Sequence, residues 1–194
     1  MDSKINFVTG NKGKFLSAKR HLQRFGIEVY QIRMDLPEPR SEDVSVIARE
    51  KARHASGAIN SQLITNDAGF YIPALNGFPG PYVNHTLKTI GIEGILKLVE
   101  GLDRECEFRE SVAYWEPGME DPINFDAVVK GKLSDSPRGE TYEWLWSPLG
   151  KIFVPWDNYL TLAELSREDY ESMSEEKSEE NSSLVKFVSW YVKR

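Results

Sequence analysis

Cysteine is almost missing from this chain of 194 residues, which carries one, Cys106. An internal disulfide is therefore impossible, and the sequence suits a reducing compartment, expected to be the cytoplasm. Cys106 lies in Cys106-Glu107-Phe108-Arg109, an alternating stretch of strand type. There a thiol reads as a small buried apolar group and not as a nucleophile. Long apolar runs are missing too. Nothing approaches the roughly 20 residues of a membrane span, and Met1-Asp2-Ser3-Lys4 has no signal-peptide pattern. No membrane partner is expected. Nor is there an excess of cations: a net charge of −6 argues against broad attraction to nucleic acid. It leaves room for a nucleotide held in a local basic pocket with a divalent cation. Internal repeats are absent. So are the spaced glycines and the Gly-Lys-Ser/Thr ending of a Walker loop.

What is present is an ordinary globular balance, 40% hydrophobic and 28% charged, which suits one domain with a sizeable core. Lys4–Val8 reads as a buried strand. It runs into Thr9-Gly10-Asn11-Lys12-Gly13-Lys14, and Asn11 caps a helix with apolar positions Phe15, Ala18, Leu22 and Phe25, ended by Gly26. A strand that closes in a small polar turn and opens a helix is an anion cradle, because the free N–H groups and the positive helix end face the turn. An ordinary connection with exposed lysines is the competing reading. Glu28–Arg33 reads as the second strand. Asp35–Arg40 is a loop stiffened by two prolines, and Ser41 is expected to cap a second helix with Val44, Ile47, Ala48, Lys51, Ala52 and Ala55 at helical spacing. Leu63-Ile64-Thr65 reads as a short strand that ends at Asn66-Asp67. A carboxylate at that point can hold a cation or orient a water, or it can bond its own turn.

The Gly69–Tyr82 stretch, rich in glycine and proline, excludes a regular helix or a central strand. Asn84–Val99 predicts a helix. Phe108–Trp115 and Phe125–Lys130 predict a hairpin-like lobe, and Ile152–Val154 one more strand. Glu164–Glu180 is strongly acidic and reads as a solvated helix followed by a loop. Leu184–Val192 is apolar enough to dock as a final helix. Alternating strands and helices followed by clustered strands point to a mixed α/β domain.

Three segments carry a resemblance: Phe7–Lys14, Asp67-Ala68-Gly69-Phe70, and Ala74-Leu75-Asn76-Gly77-Phe78-Pro79-Gly80-Pro81-Tyr82. Together they resemble the inosine triphosphate pyrophosphatase family, enzymes that clear non-standard purine nucleoside triphosphates. Gly91–Gly101 and Thr161–Ser166 are similar to its archaeal members, and the likeness covers about residues 5–174. It implies an α/β fold with an elongated mixed β-sheet, flanking helices and two lobes around a central cleft, the second lobe at roughly 103–157 of a single domain over 1–194. It implies Mg²⁺-dependent hydrolysis of a nucleoside triphosphate to monophosphate and pyrophosphate, usually in a homodimer. Thr9, Asn11 and Lys14 match the triphosphate motif and Lys51 a phosphate-contacting lysine. Glu38 matches a metal ligand, and Asp67 the acid credited with metal binding and water activation. Phe70, Trp146 and Ser174 are the candidates for contact with the base; Trp146 reads equally well as core.

The departures are specific. Asn66 stands where the family has a second acid, and Asn84 where eukaryotic members have lysine. In Leu145-Trp146-Ser147-Pro148, Ser147 replaces an aspartate. Ser174 is followed by Glu175 and Glu176 in place of a His-Arg pair that reads the purine, and His21, His54 and His85 lie far upstream. A carboxylate only accepts, as does a keto oxygen on the base, so an altered or relaxed base preference is expected. The competing class is a nucleotide-binding or regulatory paralogue with little turnover.

Overall fold

The structure is a computed structural model that describes residues 3–37, 39–142, 145, 147–176 and 182–194. Its strands are β1 (Ser3–Val8), β2 (Ile27–Ile32), β3 (Leu63–Tyr71), β4 (Pro79–Gly80), β5 (Glu105–Trp115), β6 (Ile123–Leu133) and β7 (Phe153–Pro155). The helices among the described residues are α1 (Lys12–Gln23), α2 (Val44–Ser56), α3 (Val83–Thr89), α4 (Gly91–Leu98), α5 (Arg167–Glu176) and α6 (Ser183–Tyr191). The strands form one open, mixed seven-stranded sheet in the order β2-β1-β3-β5-β6-β7, with β4 paired to β3. β1 is parallel to both β2 and β3, while β3–β4 and β6–β7 are antiparallel. The α/β class read from the sequence is the observed one. No helix among the described residues is long and apolar enough to cross a membrane.

The chain divides into two compact units. One comprises 1–68, 110–127 and 182–194; the other comprises 69–109 and 128–181. Each has its own apolar core. In the first unit the period-two alternation of strands sorts side chains to the two faces of β1 and β3. Ile5, Phe7 and Ile64 pack with Ala18 and Leu22 of α1 and with Phe187 and Tyr191 of α6. Val8 and Leu63 pack on the other face with Ala48, Ala52 and Ala55 of α2. In the second unit Phe70, Ile72, Phe108, Leu149 and Phe153 lie at the centre, with Ile95 and Val99 from α4 and the residue after it. Cys106 is part of that core, and burial pushes its thiol up from its ordinary value, away from thiolate chemistry.

Several sequence-based expectations need correction. α1 ends at Gln23, and Phe25 is 56% exposed, so its apolar face stops at Leu22. α2 is capped by Asp43, whose Oδ1 accepts from Ser45 N–H at 2.8 Å. Ser41 supports that cap from outside, accepting from Asp43 N–H. The helix expected over Asn84–Val99 is broken at Gly91, which takes φ +66° and so separates α3 from α4.

The largest correction concerns β3. It continues through Asp67 to Tyr71, so the Gly69 region is a strand after all. Gly69 allows this by close packing. A Cβ there would lie 2.8 Å from the Gly80 carbonyl oxygen across the β3–β4 pair. The glycine that looked like a strand terminator is what lets the two backbones approach.

Candidate active site

The polar turn after β1 is held from both ends. Thr9 N–H donates to the Ile32 carbonyl at 3.0 Å, extending the β1–β2 ladder by one bond. Thr9 Oγ1 accepts from Asn11 N–H at 3.1 Å, and Asn11 Oδ1 accepts from Lys14 N–H at 3.0 Å. Asn11 is thus the N-cap the sequence predicts. β1 pairs with β3 through Asn6↔Leu63 and Phe7↔Ile64, two residues before Thr9 on one strand and three before Asp67 on the other. Lys14 is half-buried in the first turn of α1.

Helix α2 presents Lys51 to the same strand. Lys51 Nζ lies 2.7 Å from Asp67 Oδ1, with the two side chains only 14% and 13% exposed. Lys51 is the hydrogen-bond partner of the Asp67 carboxylate among the described residues. A second tie fixes the register of this pair. Thr65, fully buried, donates from Oγ1 to the Ala48 carbonyl at 2.7 Å. Thr65 and Asp67 share one face of β3, and Ala48 and Lys51 share one face of α2, so the two bonds hold helix against strand.

Asn66 points to the opposite face, where Nδ2 donates to the Ser111 carbonyl at 3.2 Å. The amide that stands in for a second acid is therefore engaged with β5, not with Asp67. Glu38 lies outside the described residues. Among the described residues no group of three or more His, Cys, Asp or Glu side chains gathers around one point. Asp67 offers a carboxylate of the hard-oxygen kind that divalent cations take.

The base-side candidates belong to the second unit. Phe70 is wholly buried, its ring centroid 4.8 Å from that of Phe108 and 6.2 Å from that of Phe153, which leaves no face for a base. Ser147 caps the 3-10 turn Pro148–Lys151, its Oγ accepting from Leu149 N–H at 3.3 Å. Asn84 is exposed on α3. Trp146 lies outside the described residues, and Ser174 is described only as part of the α5 backbone.

Residues 5–179 match the Ham1 family. The chain belongs to that family. A dITP/XTP pyrophosphatase of Methanopyrus kandleri is 40% identical over 97% of this chain and 96% of that protein. One of Methanosarcina mazei is 35% identical over 97% of both. Among solved structures, a HAM1 protein from Coxiella burnetii aligns with a TM-score of 0.82 at 21% identity, covering 99% of this chain and 100% of that one. At that identity it speaks for the fold alone. The Staphylococcus aureus Ham1 protein aligns with a TM-score of 0.70 at 28% identity, covering 86% and 88%. The Ham1 match stops short of α6, which nevertheless supplies Phe187, Val188 and Tyr191 to the first unit's core.

Two residues of this candidate site escape sequence reasoning. Thr65 gave a signal, a hydroxyl inside an apolar run. Gln31, whose Nε2 donates to the Thr9 carbonyl at 3.0 Å, gave none.

Proposed function

We propose that the protein hydrolyses nucleoside triphosphates to the monophosphate and pyrophosphate. The observation that carries this reading is the Lys51–Asp67 pair, held at 2.7 Å beside the strand that opens the polar turn. The curated relatives, named as dITP/XTP pyrophosphatases, support the same activity. In this reading the Thr9–Lys14 turn and Lys14 hold the phosphate chain, and Lys51 offsets its charge. Asp67 accepts a proton from water as that water attacks in line, breaking the anhydride bond to the pyrophosphate leaving group.

Mg²⁺, held by Asp67 and Glu38, would supply charge neutralisation and a polarised water. Asp67 cannot serve a cation and Lys51 equally, so phosphate binding is expected to draw Lys51 towards the ligand. Non-standard purine triphosphates are the proposed substrates. Weak discrimination among bases is expected, because the His-Arg donors that would read a keto oxygen are replaced by Glu175 and Glu176. A homodimer in the cytoplasm completes the reading.

One observation favours a second reading, a nucleotide binder with little turnover: Asn66 supplies no carboxylate and is turned to Ser111. A pyrophosphate-release screen with Mg²⁺ against ITP, dITP, XTP, dUTP and the common triphosphates separates the two. Release with the inosine and xanthosine compounds, cut at least about a hundredfold in Asp67→Asn, is expected. Binding without release from any triphosphate would favour the second reading.

A further inference from the structure

We propose that Gln31 is a positioning residue for the phosphate-binding turn, acting by aiming the Gly10 N–H at the ligand. This rests on reading Thr9–Lys14 as a triphosphate site. Along the parallel β1–β2 pair, Phe7 lies level with Gln31 and Val8 with Ile32. The ladder's last bond is Thr9 N–H to the Ile32 carbonyl. An uninterrupted parallel ladder would next supply a backbone N–H to the Thr9 carbonyl. β2 has ended by then, and the Gln31 side chain supplies the donor instead, Nε2 to Thr9 O at 3.0 Å.

The consequence follows from peptide geometry. The Thr9–Gly10 bond is trans and planar, so the Thr9 C=O and the Gly10 N–H point in opposite directions. Holding the carbonyl towards β2 turns the N–H away from β2. The N–H so leaves the β2 edge, and β3, the strand that carries Asp67, is the neighbour of β1 on its other side. Gly10 N–H has no hydrogen-bond partner among the described residues, whereas Asn11 N–H and Lys14 N–H are taken by Thr9 Oγ1 and Asn11 Oδ1. Gly10 is exposed, and a Cβ built on it meets nothing within 4 Å, so an anion has access. Without Gln31 the Thr9 carbonyl is free to rotate towards the anion and the Gly10 N–H away from it. The group recognised is the phosphate chain, so the effect is blind to the base.

The test compares the full-length protein with Gln31→Met, which keeps side-chain length and removes the donor. The probe is inorganic tripolyphosphate with Mg²⁺, followed by titration calorimetry and by the amide resonance of Gly10. Wild type is expected to bind, with the Gly10 resonance shifting. The variant is expected to bind about tenfold more weakly, the scale of one charge-assisted hydrogen bond, with most of the Gly10 shift lost. KM is expected to rise by the same factor for every triphosphate, with kcat unchanged. If Gln31→Met fails to fold, Gln31→Leu removes the same donor. A folded variant that binds tripolyphosphate as tightly as wild type, with the Gly10 shift intact, overturns the role of Gln31 alone. A wild-type protein that binds no tripolyphosphate overturns the site reading and this proposal with it.

Discussion

The two compact units treat their candidate functional residues in opposite ways. In the first, polar side chains hold one another and the backbone: Asn11 and Thr9 bond N–H groups of the turn, Lys51 meets Asp67, and Thr65 meets Ala48. In the second, the candidates have structural employment already. Phe70 is enclosed in the core, and Ser147 caps a turn. The contrast teaches where specificity resides. A buried, partnered polar group is costly to place and has reason to be there. A buried phenylalanine needs no ligand to explain it. Both units have apolar cores, so what separates them is how the candidate side chains are employed: bonded polar groups in the first, packing and capping in the second.

The largest test of this contrast is Asp67→Asn. The amide keeps the shape, loses the charge and cannot act as a base. Turnover in a pyrophosphate-release assay is expected to fall by about a hundredfold to ten-thousandfold, the range for removing a general base. Unfolding should also become easier, since Lys51 loses its anion in a mostly buried position. Turnover within threefold of wild type would remove Asp67 from the chemistry. Phe70→Ala tests the other side. It is expected to cost about 3–5 kcal/mol in denaturant unfolding, as for a deleted core aromatic. The ratio of kcat/KM for ITP over ATP in the folded fraction should not move. A changed ratio with stability intact would mean that Phe70 meets the base.

How much of this was legible in the sequence follows the same division. The turn was readable, because Asn11 before a helical repeat and after an apolar run can do little else. The α/β class was readable from alternating periods. The course of β3 was not. Gly69 signals a break when read locally, and only the Gly80 backbone beside it shows why a glycine sits inside a strand. Gln31 was invisible for a related reason, since its partner lies on another strand. Asp43 displaced Ser41 as a cap because the helix starts where Val44 can be buried, and Ser41 is too far from that start. Long-range contact, in each case, decided what local pattern left open.

Not every polar network in the first unit belongs to the site. Arg194 grips Glu116 through both η nitrogens at 2.8 and 2.5 Å, and lies over the Tyr191, Tyr114 and Trp190 rings. Those Arg194 bonds, helped by Tyr114 and Gln62 against a cost of burial, lower the Glu116 carboxyl from its ordinary 4.5 to about 2. A carboxyl depressed on folding stabilises the protein fully above the unfolded value. That contribution is lost as pH falls from about 4.5 towards 2. Urea midpoints of wild type and Glu116→Gln should therefore differ at pH 7 and converge as pH drops through this window, with turnover at pH 7 unchanged. A gap that ignores pH would mean that the carboxylate charge adds nothing.

The smallest effect sharpens the comparison most. Ser147 occupies the position where the resembling family has an aspartate, yet here its hydroxyl accepts from Leu149 N–H. If that bond is its whole role, Ser147→Ala costs about 0.5 kcal/mol, the low end for a lost cap. The relative kcat/KM for ITP, XTP and ATP should then stay within twofold. Ser147→Asp restores the acceptor charge and, on the same argument, strengthens the cap without improving selectivity. A tenfold change in base preference from either substitution would show that this hydroxyl contacts the nucleotide. The second unit would then be no mere packing scaffold, and the division of labour between the units would fail.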